Sequence, residues 1–276
     1  MDIFEKFASE SGRALRENEY RDPNGIIMCK LCHTPLQADV PVMSSMHRVA
    51  VPCRCKREKQ EQEEAVQRER KLRDAIKKNR ERGLTDPSMG FHTFALSQGY
   101  NPKEMNVAKN YVDSWVLMRK RSQGLLLWGD VGTGKSYIAH CIGNALLEQG
   151  VPVYITNFQC LLNEMGELQF GDKNGYLEDL NRYDLLILDD LGVERETEYI
   201  IEQCYHIIDS RYRSALPMIL TTNLSLREMK NETDLRKKRI YDRILERNTP
   251  LRVNNQNIRI INSKQNMEHI GKLLCQ

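Results

Sequence analysis

Gly124-Leu125-Leu126-Leu127-Trp128-Gly129-Asp130-Val131-Gly132-Thr133-Gly134-Lys135-Ser136 decides the fold of this 276-residue chain. Its unbroken apolar run, residues 125–128, predicts a strand buried on both faces, as in a parallel sheet. Gly129 to Ser136 fit G-x-x-x-x-G-K-[ST], and residues 135–149 read as a helix, so the motif stands in the strand–loop–helix setting that it requires. Glycines let the backbone wrap closely around a phosphate. Successive N–H groups and the helix N-terminus supply positive potential. Lys135 adds a full charge toward the β- and γ-phosphates, and the Ser136 hydroxyl suits Mg²⁺. Gly129, Asp130, Val131, Gly132, Thr133, Gly134, Lys135 and Ser136 are therefore the expected nucleotide-binding residues.

Working outward, residues 184–188 form a second apolar run ending in Asp189 and Asp190. A carboxylate at the C-terminal end of such a strand holds Mg²⁺ through its water shell, a role that falls to Asp189; Asp190 is placed to polarise an attacking water. Residues 217–221 make a third strand, closed by Thr222 and Asn223, whose amide can reach a γ-phosphate or that water. Residues 151–155 and 258–261 complete a set of five strands. Helices, for example 135–149 and 196–214, alternate with them. The expected class is α/β: a five-stranded parallel sheet flanked by helices, with nucleotide at the C-terminal strand ends. About 15 residues follow Ile261, too few for a separate helical lid.

The part before this domain has another character. Residues 1–20 alternate charged and apolar side chains, and Ile3, Phe4, Phe7, Ala14 and Leu15 predict a short amphipathic helix. Residues 21–55 carry Pro23, Gly25, Pro35 and Pro41 and read as a small loop-and-hairpin module. Four of the eight cysteines fall here, as Cys29-x₂-Cys32 and Cys53-x-Cys55. Two short-spaced pairs can close a tetrahedral zinc site, which with four protein ligands is structural. His33 and His47 stay open as substitutes for one thiolate. The scattered Cys141, Cys160, Cys204 and Cys275 read as small core hydrophobes. Residues 56–82 hold 11 basic and 7 acidic residues with no Gly or Pro, which predicts a solvated helical linker with Gly83 at its C-terminal end. The expected division is residues 1–56, 57–90 and 91–276.

A net charge of +3 is too mild to decide on nucleic acid by itself. Two clusters, residues 56–82 and 227–252, are each net +4 and could supply phosphate contacts. The longest apolar runs are four residues, far below the roughly 20 of a membrane span. The N-terminus lacks a signal-peptide apolar region, so an intracellular location and reduced thiols are expected.

Together these residues resemble the AAA+ ATPases of the family that joins DnaC/DnaI-type helicase loaders and IstB-type transposition helpers. The markers are Phe91-His92-Thr93-Phe94, GDVGTGKS at 129–136, LLILDDLG at 185–192, IIDSRY at 207–212, ILTTN at 219–223 and RIYDRI at 239–244. The resemblance implies that Lys135 and Ser136 are the Walker A pair, Asp189 and Asp190 Walker B, and Asn223 the sensor 1 residue. It makes Arg239 the arginine finger that reaches the ATP of an adjacent subunit, with Arg236 and Arg243 one turn to either side, and Arg259 the sensor 2 arginine. Asp190 departs from the Glu general in AAA+ proteins, and its shorter reach implies slow hydrolysis. Residues 157–175 match the extra helical element of initiators and loaders, without being strongly basic.

The resemblance further implies a bacterial or viral cytoplasmic ATPase using ATP/ADP with Mg²⁺ and a structural Zn²⁺. Its partners would be a replicative DNA helicase, single-stranded DNA and further copies of itself in the ATP state, with turnover stimulated by DNA or partner. DnaI-type loaders carry an N-terminal zinc module that engages the helicase, so the cysteine quartet tips the reading toward a loader. A transposition helper or a nucleotide-gated helicase-binding adaptor are the other readings.

Overall fold

Leu125, Leu126 and Leu127 are buried on the interior strand β5 (Gly124–Trp128), and their alternate side chains enter different cores. β5 belongs to a five-stranded, wholly parallel sheet with β6 (Val153–Asn157), β7 (Leu185–Leu191), β8 (Met218–Thr222) and β9 (Asn248–Arg252), in the order β6-β7-β8-β5-β9. Leu125, Leu127, Ile155, Leu185, Ile187 and Ile219 face one apolar cluster. It is covered by α2 (Pro102–Asp113), α3 (Trp115–Lys120) and α4 (Lys135–Glu148). Leu126, Leu186, Leu188, Met218 and Leu220 face the other. There they meet α5 (Phe158–Glu167), α6 (Asp172–Leu180), α7 (Glu198–Arg213), α8 (Leu226–Lys230) and α9 (Leu235–Arg247). Continuous apolar strands are what such double coverage requires. α10 (Ile258–Leu274) follows the last strand.

The structure, a computed structural model, describes residues 14–42, 45–168, 172–192 and 197–274. The chain divides into two compact units, Met1–Leu72 and Arg73–Gln276. In the first, β1 (Glu19–Arg21) pairs with β2 (Ile27–Cys29) and β3 (Gln37–Val42) with β4 (Ser45–Ala50), both antiparallel. The long helix α1 (Arg54–Gly83) begins in the first unit and ends in the second. Its last turns lie against the sheet edge: Asn79 Nδ2 donates to Gly150 O at 3.1 Å and Arg80 pairs with Glu148 at 2.9 Å. Leu84 then bridges to Ile155 in parallel, so the chain covers the exposed edge of β6.

Four of the five expected strands agree with the observed bounds within three residues. The fifth does not. Residues 258–261 are the first turn of α10, and the sheet is completed by β9 instead. Asn257 caps that helix, with Ile260 N–H donating to its Oδ1 at 3.3 Å. The polar Asn248-Thr249-Pro250 stretch reads poorly as a strand, but Pro250 is tolerated because β9 lies at the sheet edge and pairs with β5 alone. The helix expected over residues 1–20 falls mostly outside the described residues; Ala14 and Leu15 are exposed and not helical, and Glu19 already belongs to β1. Gly83 is also not a left-handed cap. It ends α1 buried against β6, where a Cβ would stand 2.1 Å from Val153 O. Among the scattered cysteines Cys141 and Cys204 are buried, Cys160 is half-buried and Cys275 lies outside the described residues. No described helix is long and apolar enough to cross a membrane.

Candidate functional site

β5 carries the phosphate loop into α4, and the loop's backbone explains its glycines. Gly129, Gly132 and Gly134 all have positive φ (144°, 79° and 100°). Gly129 N–H donates to Thr222 O at 3.3 Å, and a Cβ on Gly129 would meet Val253 O at 2.4 Å, so only glycine fits. The loop is also braced from outside. Asn101, the N-cap of α2, donates through Nδ2 to Thr133 O at 2.8 Å. Asn255 Nδ2 in turn donates to Asn101 Oδ1 at 3.0 Å, and Ile258 N–H donates to Gly132 O at 2.9 Å.

Lys135 is 5% exposed, and its Nζ donates to Gly129 O, Asp130 O and Asn223 Oδ1, each at 2.8 Å. Burial pulls its pKa below the usual lysine value, partly offset by Asp190 and Asp189. A cavity of about 520 Å³ opens beside it. Lys135, Ser136, Asp190, Asn223 and Arg259 line one part of that cavity; His92, Leu96, Tyr100, Met105 and Tyr137 line the rest. Such a volume suits a small organic ligand. The strand ends and the start of α10 thus bring the expected Walker A, second carboxylate, sensor 1 and sensor 2 positions to one cavity, while Asp189 is not among its lining residues.

Asp189 and Asp190 lie near the C-terminal end of β7, just before Leu191, and β7 is separated from β5 by β8. Asp189 is buried, its Oδ1 accepting from Thr221 Oγ1 at 2.5 Å. Asp190 is exposed and has φ +59°. Its carboxyl is pushed up by desolvation and by Asp189, against the pull of Lys135 and Arg259. A Ser hydroxyl and carboxylate oxygens are the hard donors that magnesium takes, so Ser136 and Asp189 fit that ion.

Arg239 lies on α9 and away from the cavity lining. Its neighbours are committed elsewhere. Arg236 pairs with Asp234 at 3.0 Å and Glu198 at 2.9 Å. Arg243 pairs with Asp209 at 2.7 Å and stacks over Tyr205. Arg239 is exposed, and among the described residues it makes no ion pair or hydrogen bond. The segment at 207–212 explains how α9 is held. Asp209 binds Arg243, the Tyr212 hydroxyl donates to Glu246 at 2.9 Å, and the buried Arg211 donates to the Leu180, Tyr183 and Pro217 carbonyls. This segment is therefore a tie between α7, α9 and the strand ends.

His92 stands in the sequence only as part of a family marker, and His140 carries no signal there. Their Nδ1 atoms lie 2.8 Å apart and their rings stack at 5.0 Å. His140 is 4% exposed and is pulled down to about 4, first by burial and then by His92. The aromatic markers at 91–94 were the available signal, but nothing local announces that residue 140 of α4 would meet them.

In the first unit, Cys29, Cys32, Cys53 and Cys55 converge with all four sulfurs within 4.8 Å of one another. Cys29 ends β2 and Cys32 lies in the following turn; Cys53 and Cys55 stand where α1 begins. Zn–S bonds of about 2.3 Å in a tetrahedron put the sulfurs about 3.8 Å apart, which matches the 3.2 and 3.7 Å separations of Cys55 from Cys53 and Cys29. Cys32 is drawn down to about 5 by Thr34, while Cys55 is pushed up to about 12 by Cys53 and Cys32. Four sulfurs this close together are the donor set that a tetrahedral zinc ion takes. His33 turns away, its Nδ1 3.2 Å from the Tyr20 hydroxyl, and His47 is not in the cluster.

Comparison with known proteins bears on the family and the fold. Residues 58–266 match the model of the IstB-like ATP binding protein family. Over 120 residues, 42% of this chain and 46% of the other, the chain is 34% identical to "Uncharacterized protein YdaV" of Escherichia coli (strain K12). It is 33% identical over 119 residues to the replicative helicase loader DnaC of the same strain, covering 42% of this chain and 47% of that protein. The DnaC of Buchnera aphidicola subsp. Schizaphis graminum is 28% identical over 158 residues, 56% and 62% of the two chains. The chain thus spans about half the length of the curated relatives it matches. Among solved structures, the DnaC helicase loader has a TM-score of 0.51 at 24% identity, covering 57% of this chain and 92% of that one. DnaI has 0.53 at 23%, covering 63% and 97%. At these identities the two structures share the fold.

Proposed function

Because this chain belongs to the IstB-like ATP binding protein family, we propose that it is an ATP-dependent loader of a replicative DNA helicase. The observation that carries the reading is the single cavity onto which Lys135, Ser136, Asp190, Asn223 and Arg259 converge. In it Lys135 and the loop amides would hold the phosphates, and Ser136 and Asp189 would hold magnesium, which screens phosphate charge when bound. Asp190 would polarise the attacking water, and Asn223 would orient it. Asp190 is shorter than a Glu, which supports slow turnover suited to a switch. Arg239, exposed and without an ion pair among the described residues while Arg236 and Arg243 are engaged, is the residue best placed to reach a neighbouring copy. The chain would therefore assemble with itself in the ATP state.

The cysteine cluster supports a loader over other members of the family. The unit it organises would grip the helicase, and the basic clusters at 56–82 and 227–252 would take single-stranded DNA through phosphates, giving salt-sensitive binding. The three-part division at residues 56 and 90, with a cytoplasmic bacterial or viral setting, belongs to the same proposal. Capture of the cell's replicative helicase by the full chain, with Mg²⁺-dependent ATP turnover raised by single-stranded DNA, is the expected result. Capture of a transposase without a helicase would instead favour a transposition helper, a reading that the IstB-like family model also supports.

A further inference from the structure

The register of β7 against β8 slips at one place. Leu188 faces Leu220 and Leu191 faces Thr222, so Asp189 and Asp190 together oppose the single residue Thr221. This is a β-bulge, a device that re-aims side chains beside active sites. In a regular strand the two aspartates would point to opposite faces. Here Asp190 takes φ +59°, a left-handed conformation that costs energy in any residue with a Cβ but that Asp tolerates better than most. Its carboxylate opens on the nucleotide cavity while that of Asp189 stays buried.

One hydroxyl serves both residues of the bulge. Thr221 is fully buried. Its Oγ1 accepts from Asp190 N–H at 2.9 Å and donates to Asp189 Oδ1 at 2.5 Å. A hydroxyl has one hydrogen, and the backbone amide already occupies an oxygen lone pair, so the hydrogen must go to the carboxylate. Thr222 secures the far side, its Oγ1 donating to Leu191 O at 2.8 Å.

We infer that Thr221 is a positioning residue that sets both acidic side chains of the site: it orients the Asp189 carboxylate for the metal and pins the Asp190 backbone so that its carboxylate faces the nucleotide. This rests on the nucleotide reading of the cavity given above. Valine matches threonine in shape and removes only the hydroxyl. In the full-length Thr221→Val protein, turnover should fall about 10- to 100-fold, the range seen when a partner orienting a metal-binding group is lost. The magnesium concentration for half-maximal ATP binding should rise, while ATP binding in EDTA stays as in the wild type. Thr221→Ser, which keeps the hydroxyl, should restore both readouts. A folded Thr221→Val protein with wild-type turnover and magnesium dependence overturns the inference, as does a Thr221→Ser protein as impaired as the valine variant. Should the valine variant not fold, Thr221→Ser against Thr221→Ala makes the same comparison, and equal behaviour overturns it. Should the wild type bind ATP without turning it over, the magnesium dependence of binding decides. A wild type that binds no ATP sinks the nucleotide reading itself, a result separable from any variant.

Discussion

Lys135 and Asn223, 88 positions apart, meet directly: Lys135 Nζ donates to Asn223 Oδ1 at 2.8 Å. The contact joins the first residue of α4 to the loop after β8, and it exists because β5 and β8 are neighbours in the sheet. Substituting the two residues should therefore have different consequences. Lys135→Ala should abolish ATP binding measured with a fluorescent nucleotide. Asn223→Ala should retain binding and slow turnover on the order of 100-fold, the usual effect of losing one orienting polar group. Equal loss of binding in both would contradict the separate roles.

Arg239 and Arg243 stand one helical turn apart with opposite commitments. Arg239→Ala should leave the denaturation midpoint unchanged and lower ATP turnover on the order of 1,000-fold if it acts across subunits as a finger. Mixing it with a Lys135→Ala protein, which supplies an intact Arg239, should partly restore the rate. Arg243→Ala should do the reverse. It strips a partner from the buried Asp209 and should cost about 1–3 kcal/mol of stability in urea unfolding.

The cysteine cluster predicts one zinc per chain by elemental analysis. Cys53→Ser should lose the metal and expose the first unit to proteolysis, because metal binding and folding are linked in small sites. Cys141→Ser, at a buried cysteine outside the cluster, should keep full zinc. Zinc retained in the Cys53 variant would contradict the assignment.

The His92–His140 pair predicts an acid-sensitive fold. His140 is held near 4 in the folded protein against about 6.5 when unfolded. Asp86 acts against this shift, and burial and His92 act with it. Between these values the unfolded chain binds the extra proton, so stability is complete above about pH 6.5 and is lost as pH falls toward 4, by about 3 kcal/mol in all. Urea midpoints measured across that range should show the loss, and His140→Asn should flatten it. An unchanged slope in that variant would sink the prediction.

Much of the ATP-binding unit was legible in the sequence because its signals are local. A run such as residues 185–188 can be satisfied only where both faces are covered, and the glycines of the phosphate loop sit where positive φ is needed. The misreadings share one cause. Residues 258–261 look like a strand because isoleucines are rich in β-propensity, but Asn257 caps them into a helix whose Ile258 packs near the phosphate loop. Asn248-Thr249-Pro250 drew no strand expectation, yet an edge position beside β5 makes it a strand. Gly83 does close the helix as read, but the reason for glycine is that the backbone of β6 comes within reach. Thr221 carried no local signal, since Thr-Thr-Asn is ordinary turn chemistry.

By itself, the sequence named the candidates for holding a phosphate and a metal. Residue type and spacing set the loop's backbone, the charge of Lys135, the hard oxygens of Ser136 and Asp189, and the four thiols. Only the tertiary structure decided which of three arginines has no ion pair among the described residues, that His92 faces His140, and that one threonine serves two aspartates. These depend on strand order and on a one-residue slip in register. Both are set by long-range packing of β7 against β8 and of α9 against α7, which no window of sequence contains.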